Sequence, residues 1–146
     1  LFPYTTLFRS NGYMKFDLSS LAGGSRIVSA KLHLFAIKKT SLAPGNEADL
    51  TLYGVADDTW TETALTAANR PALGSALASG VVTAAGNWVE LDVTSYVYAQ
   101  YAGSPGDGIA SIGIGTQTVE GYLGIQSKEV ANSAYRPYLT VTTAAN

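Results

Sequence analysis

The feature that most constrains this chain is a two-residue hydrophobic period, carried in short runs broken by glycine-rich turns. In Tyr13–Leu18, Met14, Phe16 and Leu18 fall on one face, and Tyr13, Lys15 and Asp17 on the other. Ile27–Ile37 repeats the pattern. It assigns Val28, Ala30, Leu32, Leu34 and Ala36 to the inner face and Ser29, Lys31, His33 and Phe35 to the outer. Successive strand side chains point to opposite sides, so such a period calls for strands buried on one face. Further short strands are expected at Asp49–Val55, Ser75–Thr83, Trp88–Val93, Ile109–Gly115, Gly121–Ser127 and Pro137–Thr143. Turn clusters such as Ser19–Ser25 and the Ser41–Glu47 loop punctuate them. About eight strands at this spacing, without strand–helix–strand alternation, predict an all-β sandwich or barrel.

Two segments interrupt the strands. Ala56–Pro71 is polar and rich in Thr and Asp, which predicts a long loop with at most one helical turn or short strand. Thr94 is placed to cap a short helix over Ser95–Ala102, with Tyr96, Tyr98 and Tyr101 as its packed face. Trp88 is assigned to the core beside Val89 and Leu91, and Tyr138 to a structural position in the last strand. Trp60 lies in the polar loop. It is either a ring presented for binding or a plug over one end of the sandwich.

Composition narrows the functional classes. The net charge of −2 disfavours nucleic acid as a partner. No run of residues approaches a membrane-spanning length of ~20 apolar positions. The 47% hydrophobic content argues against a disordered chain. With no cysteine, disulfides, thiolate metal sites and cysteine nucleophiles are all excluded. The single histidine, His33, has no Ser and acid placed beside it by the sequence, so a catalytic triad cannot be argued. Glu90 and Asp92 share one strand face, a spacing open to glycosidase-like geometry but common on solvated strands.

Leu1–Ser10 reads LFPYTTLFRS and resembles a translated short-read sequencing adapter. On that reading the segment stands outside the fold and the biological sequence starts near Asn11. One sandwich domain is then expected over residues 11–143, with some N-terminal strand material missing and 144–146 as a tail.

Several blocks in order carry a family resemblance: GYMKFDLSSLAGGSRIVSAKLHL, ADDTWTET, NWVELDVTSYV, DGIASIGI and SKEVANSAYRPYLTVT. Together they span about Gly12 to Thr142 and resemble the DNRLRE domain family. That family comprises disaggregatase-related repeats, among them carbohydrate-binding modules attached to alginate lyases. The hexapeptide that names the family is absent, and Ala67 stands where members often carry a further Trp. The resemblance implies a β-sandwich of jelly-roll type with no catalytic activity of its own. It also implies an extracellular or cell-surface setting within a larger multidomain protein, and an acidic polysaccharide as ligand. The alternative is a structural or adhesive repeat of a large surface protein with no ligand of its own.

On that view the ligand-binding candidates are Tyr13, Lys15, Lys31, His33, Trp60, Lys128 and Arg136. Cations would pair with uronate carboxylates, and rings would stack on the apolar sugar faces. Outward Lys is equally the ordinary means of protecting a strand edge. No cofactor is expected. Asp57, Asp58 and Glu62 offer hard oxygens for a structural calcium ion, or simply act as turn formers.

Overall fold

The computed structural model describes residues 11–21, 23, 25–40, 48–83, 86–102, 106–115 and 122–145. The Leu1–Ser10 segment and the Ser41–Glu47 loop lie outside them. Eight strands form: β1 (Gly12–Asp17), β2 (Arg26–Thr40), β3 (Ala48–Gly54), β4 (Ala76–Val82), β5 (Asn87–Asp92), β6 (Ile109–Gly115), β7 (Tyr122–Ile125) and β8 (Tyr138–Ala144). One helix, α1 (Thr94–Ala102), follows β5, and a single 3-10 turn covers Ser133–Tyr135.

The strands make two antiparallel sheets, as an all-β sandwich requires. Sheet A has the order β1–β6–β3–β4. Sheet B is built on the long strand β2, with β5 along one edge. Along the other edge β8 pairs with Arg26–His33 and β7 with Ala36–Thr40, end to end. The chain crosses between the sheets repeatedly, so apart from β3 and β4 the paired strands are not consecutive in sequence. The core is filled by the inward halves of the alternating runs: Leu32 and Leu34 from β2, Leu50 and Leu52 from β3, Leu91 from β5 and Ile112 from β6. Val97 of α1 closes one side of it.

Three expectations are corrected by this packing. Val28 was assigned inward but is 51% exposed, while Ile27 is buried. The pairing of β2 with β8 slips between Ile27 and Ser29, and one inserted residue reverses the alternation there. Tyr98 is 48% exposed; Tyr96, Val97 and Tyr101 form the face of α1 that packs on the core. Thr94 begins α1, but its hydroxyl serves β2: it accepts from the Ala30 N–H at 3.0 Å and lies 3.3 Å from the Ala30 carbonyl.

The polar segment 56–75 is a loop draped over the outer face of sheet A. Tyr13 donates its hydroxyl to the Pro71 carbonyl at 2.9 Å, and the Ser111 hydroxyl donates to the Asp58 carboxylate. This cover explains why all of Ala110–Gly113 is buried although only alternate residues face the core. Gly74 shows how closely the loop is applied. Its N–H donates to the Gly54 carbonyl at 2.8 Å, and a Cβ there would sit 2.8 Å from that same oxygen.

Candidate functional site

Sheet A's outer face is covered by the loop. Sheet B's outer face instead carries rings. On β2, Lys31, His33 and Phe35 point outward because Leu32 and Leu34 take the core. On β5, Val89 and Leu91 face inward, so Trp88, Glu90 and Asp92 face outward. The assignment of Trp88 to the core is thus corrected: it is 40% exposed. On β8, Leu139 and Val141 pack inward and Tyr138 stands outward, 47% exposed.

The register converts these outward positions into one array. Phe35 is the direct cross-strand partner of Trp88, and His33 is that of Tyr138. The Phe35 and Trp88 rings meet edge to face at 5.3 Å, and Trp88 meets Tyr138 edge to face at 5.4 Å. His33 lies parallel to Tyr138 at 4.3 Å. Tyr135, from the 3-10 turn, stacks on Phe35 at 4.4 Å. Side chains from three strands and one turn therefore make a continuous aromatic surface. Each such contact is worth about 0.5–1.5 kcal/mol beyond simple burial, which holds the rings in fixed orientations.

A charged rim borders the array. Glu90 sits opposite His33 in the register, and its carboxylate lies 2.7 Å from the Lys31 ammonium and 3.7 Å from His33 Nδ1. The Lys31 hydrogen bond holds the Glu90 carboxyl below its ordinary range, and Glu90 in turn raises Lys31. Asp92 accepts the Thr94 N–H at 2.9 Å and is lowered by that bond. Thr140 places its hydroxyl 3.2 Å from His33 Nε2.

The other candidates gather elsewhere. Tyr13, Lys15, Trp60 and Lys128 line a cleft of about 630 Å³ at the β1 edge of the sandwich. Its apolar wall includes Met14, Phe16, Ile114 and Ile125. The Lys15 ammonium donates to the carbonyls of Asp58 at 2.6 Å and Trp60 at 2.7 Å. It also lies 4.5 Å above the Trp60 ring. Tyr13 meets that ring edge to face at 5.9 Å, and the indole Nε1 is buried without a partner among the described residues. Lys128 closes the mouth by pairing with Glu62 at 2.5 Å and Glu129 at 3.6 Å. Arg136 touches neither group; its Nε donates to the Val130 carbonyl at 3.2 Å.

The three calcium candidates do not converge. Asp57 accepts the N–H and hydroxyl of Thr59, Asp58 accepts the Ser111 hydroxyl, and Glu62 pairs with Lys128. Among the described residues no three His, Cys, Asp or Glu side chains form a group able to hold a metal ion. Burial raises the Asp58 carboxyl above its ordinary range; the Ser111 hydroxyl opposes the shift and the neighbouring Asp107 carboxyl reinforces it.

The alternation places Lys31, His33 and Phe35 outward, but it does not show that Trp88, Tyr135 and Tyr138 join them on one surface. The signal for Trp88 was present: it shares the period of Glu90 and Asp92, both outward. No helix among the described residues is long and apolar enough to cross a membrane.

No curated protein matches the chain. The profile of carbohydrate-binding module family 96 matches residues 4–143. The chain belongs to carbohydrate-binding module family 96.

Proposed function

We propose that this chain binds polysaccharide on the outer face of sheet B, as a non-catalytic accessory module of a secreted enzyme or surface protein. The observation that carries the reading is the array of Trp88, Tyr138, Tyr135 and Phe35: the first three stay exposed although each packs on a neighbour, and the half-buried Phe35 ring backs Trp88 and Tyr135. Apolar C–H faces of sugar rings stack on such surfaces, and Trp and Tyr offer large contact area at little conformational cost. Because neighbouring rings already hold them, their ordering is largely complete before a ligand arrives.

Acidic chains of the alginate-like polyuronate type are the proposed preference. Lys31 and His33 stand at the edge of the rings, where a carboxylate on a stacked sugar would meet them. The Lys31–Glu90 pair is exposed on both sides, and such surface pairs contribute only about 0–1 kcal/mol. A ligand carboxylate can therefore displace it.

The Glu90–Asp92 pair does not fit a glycosidase-like role. Glycosidic cleavage by paired carboxyls needs one of them held protonated near neutral pH. Glu90 and Asp92 are both shifted the opposite way.

Affinity electrophoresis through gels containing alginate, pectate or a neutral glucan tests the reading. Retardation by glycan, strongest for the polyuronates and lost in Trp88→Ala, is expected. Unretarded migration in all three gels would favour a structural repeat without a ligand of its own.

A further inference from the structure

Glu90 occupies the position that a ligand carboxylate would take. It is the direct cross-strand partner of His33, and its two oxygens face Lys31 at 2.7 Å and His33 Nδ1 at 3.7 Å. Lys31 is thus engaged by an internal anion that also lies beside the His33 ring. Asp92, opposite Lys31 in the register, is held by the Thr94 N–H and adds a second negative charge nearby. From the third strand the face is completed by Tyr138 and Thr140. Taken together, one Lys is set against two carboxylates.

We propose that Glu90 is the specificity-determining residue of this face: its carboxylate competes with the uronate carboxylate for Lys31 and His33 and so sets how strongly acidic glycans are preferred over neutral ones. The inference rests on the reading that the glycan lies on sheet B. Neutral sugars stack on the rings without needing Lys31, so they have no carboxylate to set against Glu90. An acidic sugar must first displace Glu90 from Lys31, and must approach a local charge that repels it. Specificity set by a repulsive element in this way is a common device for discriminating charged ligands.

The test is Glu90→Gln, which keeps the side-chain size and an oxygen able to accept from Lys31 but removes the charge. Retardation of wild type and variant is compared in gels of polymannuronate and of a neutral glucan, at low and high salt. The expected result is about a 2- to 5-fold gain in apparent affinity for the polyuronate, of the order that one exposed charge pair supplies. The gain shrinks in high salt, and adding Lys31→Ala removes it. Binding of the neutral glucan, which carries no carboxylate for Lys31, changes less, so the ratio of polyuronate to glucan affinity rises. Equal polyuronate affinity in variant and wild type, or equal changes toward both glycans, overturns the proposal for Glu90 while leaving the sheet B reading standing. If wild type and variant bind glycan but Trp88→Ala changes neither, the sheet B reading falls, and this inference falls with it.

Discussion

The imidazole of His33 and the phenol ring of Tyr138 lie parallel, 4.3 Å apart at an interplanar angle of 8°. They belong to β2 and β8, which meet only because β8 returns across the sheet to pair with β2. Trp88 reaches the same rings from β5 on the opposite edge. One strand thus acts as the spine on which two sequence-distant strands deliver rings to a common surface.

If that surface takes sugar, truncating either exposed ring weakens binding without unfolding the protein. Trp88→Ala and Tyr138→Ala are each expected to lower glycan affinity about 5- to 30-fold, the loss of ~1–2 kcal/mol of stacking. Both side chains are nearly half exposed, so thermal unfolding followed by circular dichroism should move by only a few degrees. Isothermal titration against oligosaccharide reads the first effect.

Much of this architecture was legible in the sequence, and the failures have physical causes. The alternation in β1, β2 and β5 gave the right faces because a two-residue period leaves one choice once a core side is picked. It failed at Val28, where a bulge inserted one residue and no local signal announced it. It was overridden at Trp88, where the hydrophobicity of the ring was weighed above the period of its own strand. The ring surface as a whole was beyond reach. Its contacts join residues as far apart as His33 and Tyr138, and strand pairing at that separation depends on the whole sandwich. Lys15 illustrates the same limit. Its outward position was legible, but the carbonyls of Asp58 and Trp60 that receive its ammonium come from a loop more than forty residues away.

Thr94 offers a test of the link between α1 and β2. Its hydroxyl accepts the Ala30 N–H at a point where β2 is buried. Thr94→Val preserves shape and leaves that donor without a partner. The expected cost is about 1–3 kcal/mol, the penalty for orphaning a buried polar group. Urea denaturation should show a lower midpoint with an unchanged slope. Thr94→Ser should recover most of the loss.

Asp58 makes the protein's stability depend on pH in a direction opposite to that of Asp17, Asp57, Glu90 and Asp92. Burial, with Asp107 nearby, raises its carboxyl in the folded state. A raised carboxyl contributes stability below its unfolded value of about 3.9, and that contribution is lost as pH rises through the folded value. At neutral pH the ionised Asp58 is therefore a cost. Asp57 and Asp92, lowered by hydrogen bonds from Thr59 and Thr94, contribute in the reverse sense and lose their contribution in acid. Asp58→Asn, whose amide oxygen still accepts from Ser111, should raise the melting temperature at pH 7 by only a degree or two, since solvent screens a charge this lightly buried. The advantage should fade below about pH 3.9, where the wild-type side chain is also neutral. An advantage equally large at pH 3 would mean that the gain does not come from charge.

The central claim is that glycan lies on sheet B rather than in the β1-edge cleft, and the two tryptophans report on the two places. The chain has only Trp60 and Trp88, so its nitrogen–proton correlation spectrum contains two indole signals, assignable with Trp88→Phe. Titration with polyuronate oligosaccharide should shift the Trp88 indole progressively and to saturation while the Trp60 signal stays in place. Movement of Trp60 with Trp88 unmoved would put the ligand in the cleft lined by Tyr13, Lys15 and Lys128, and would contradict the account.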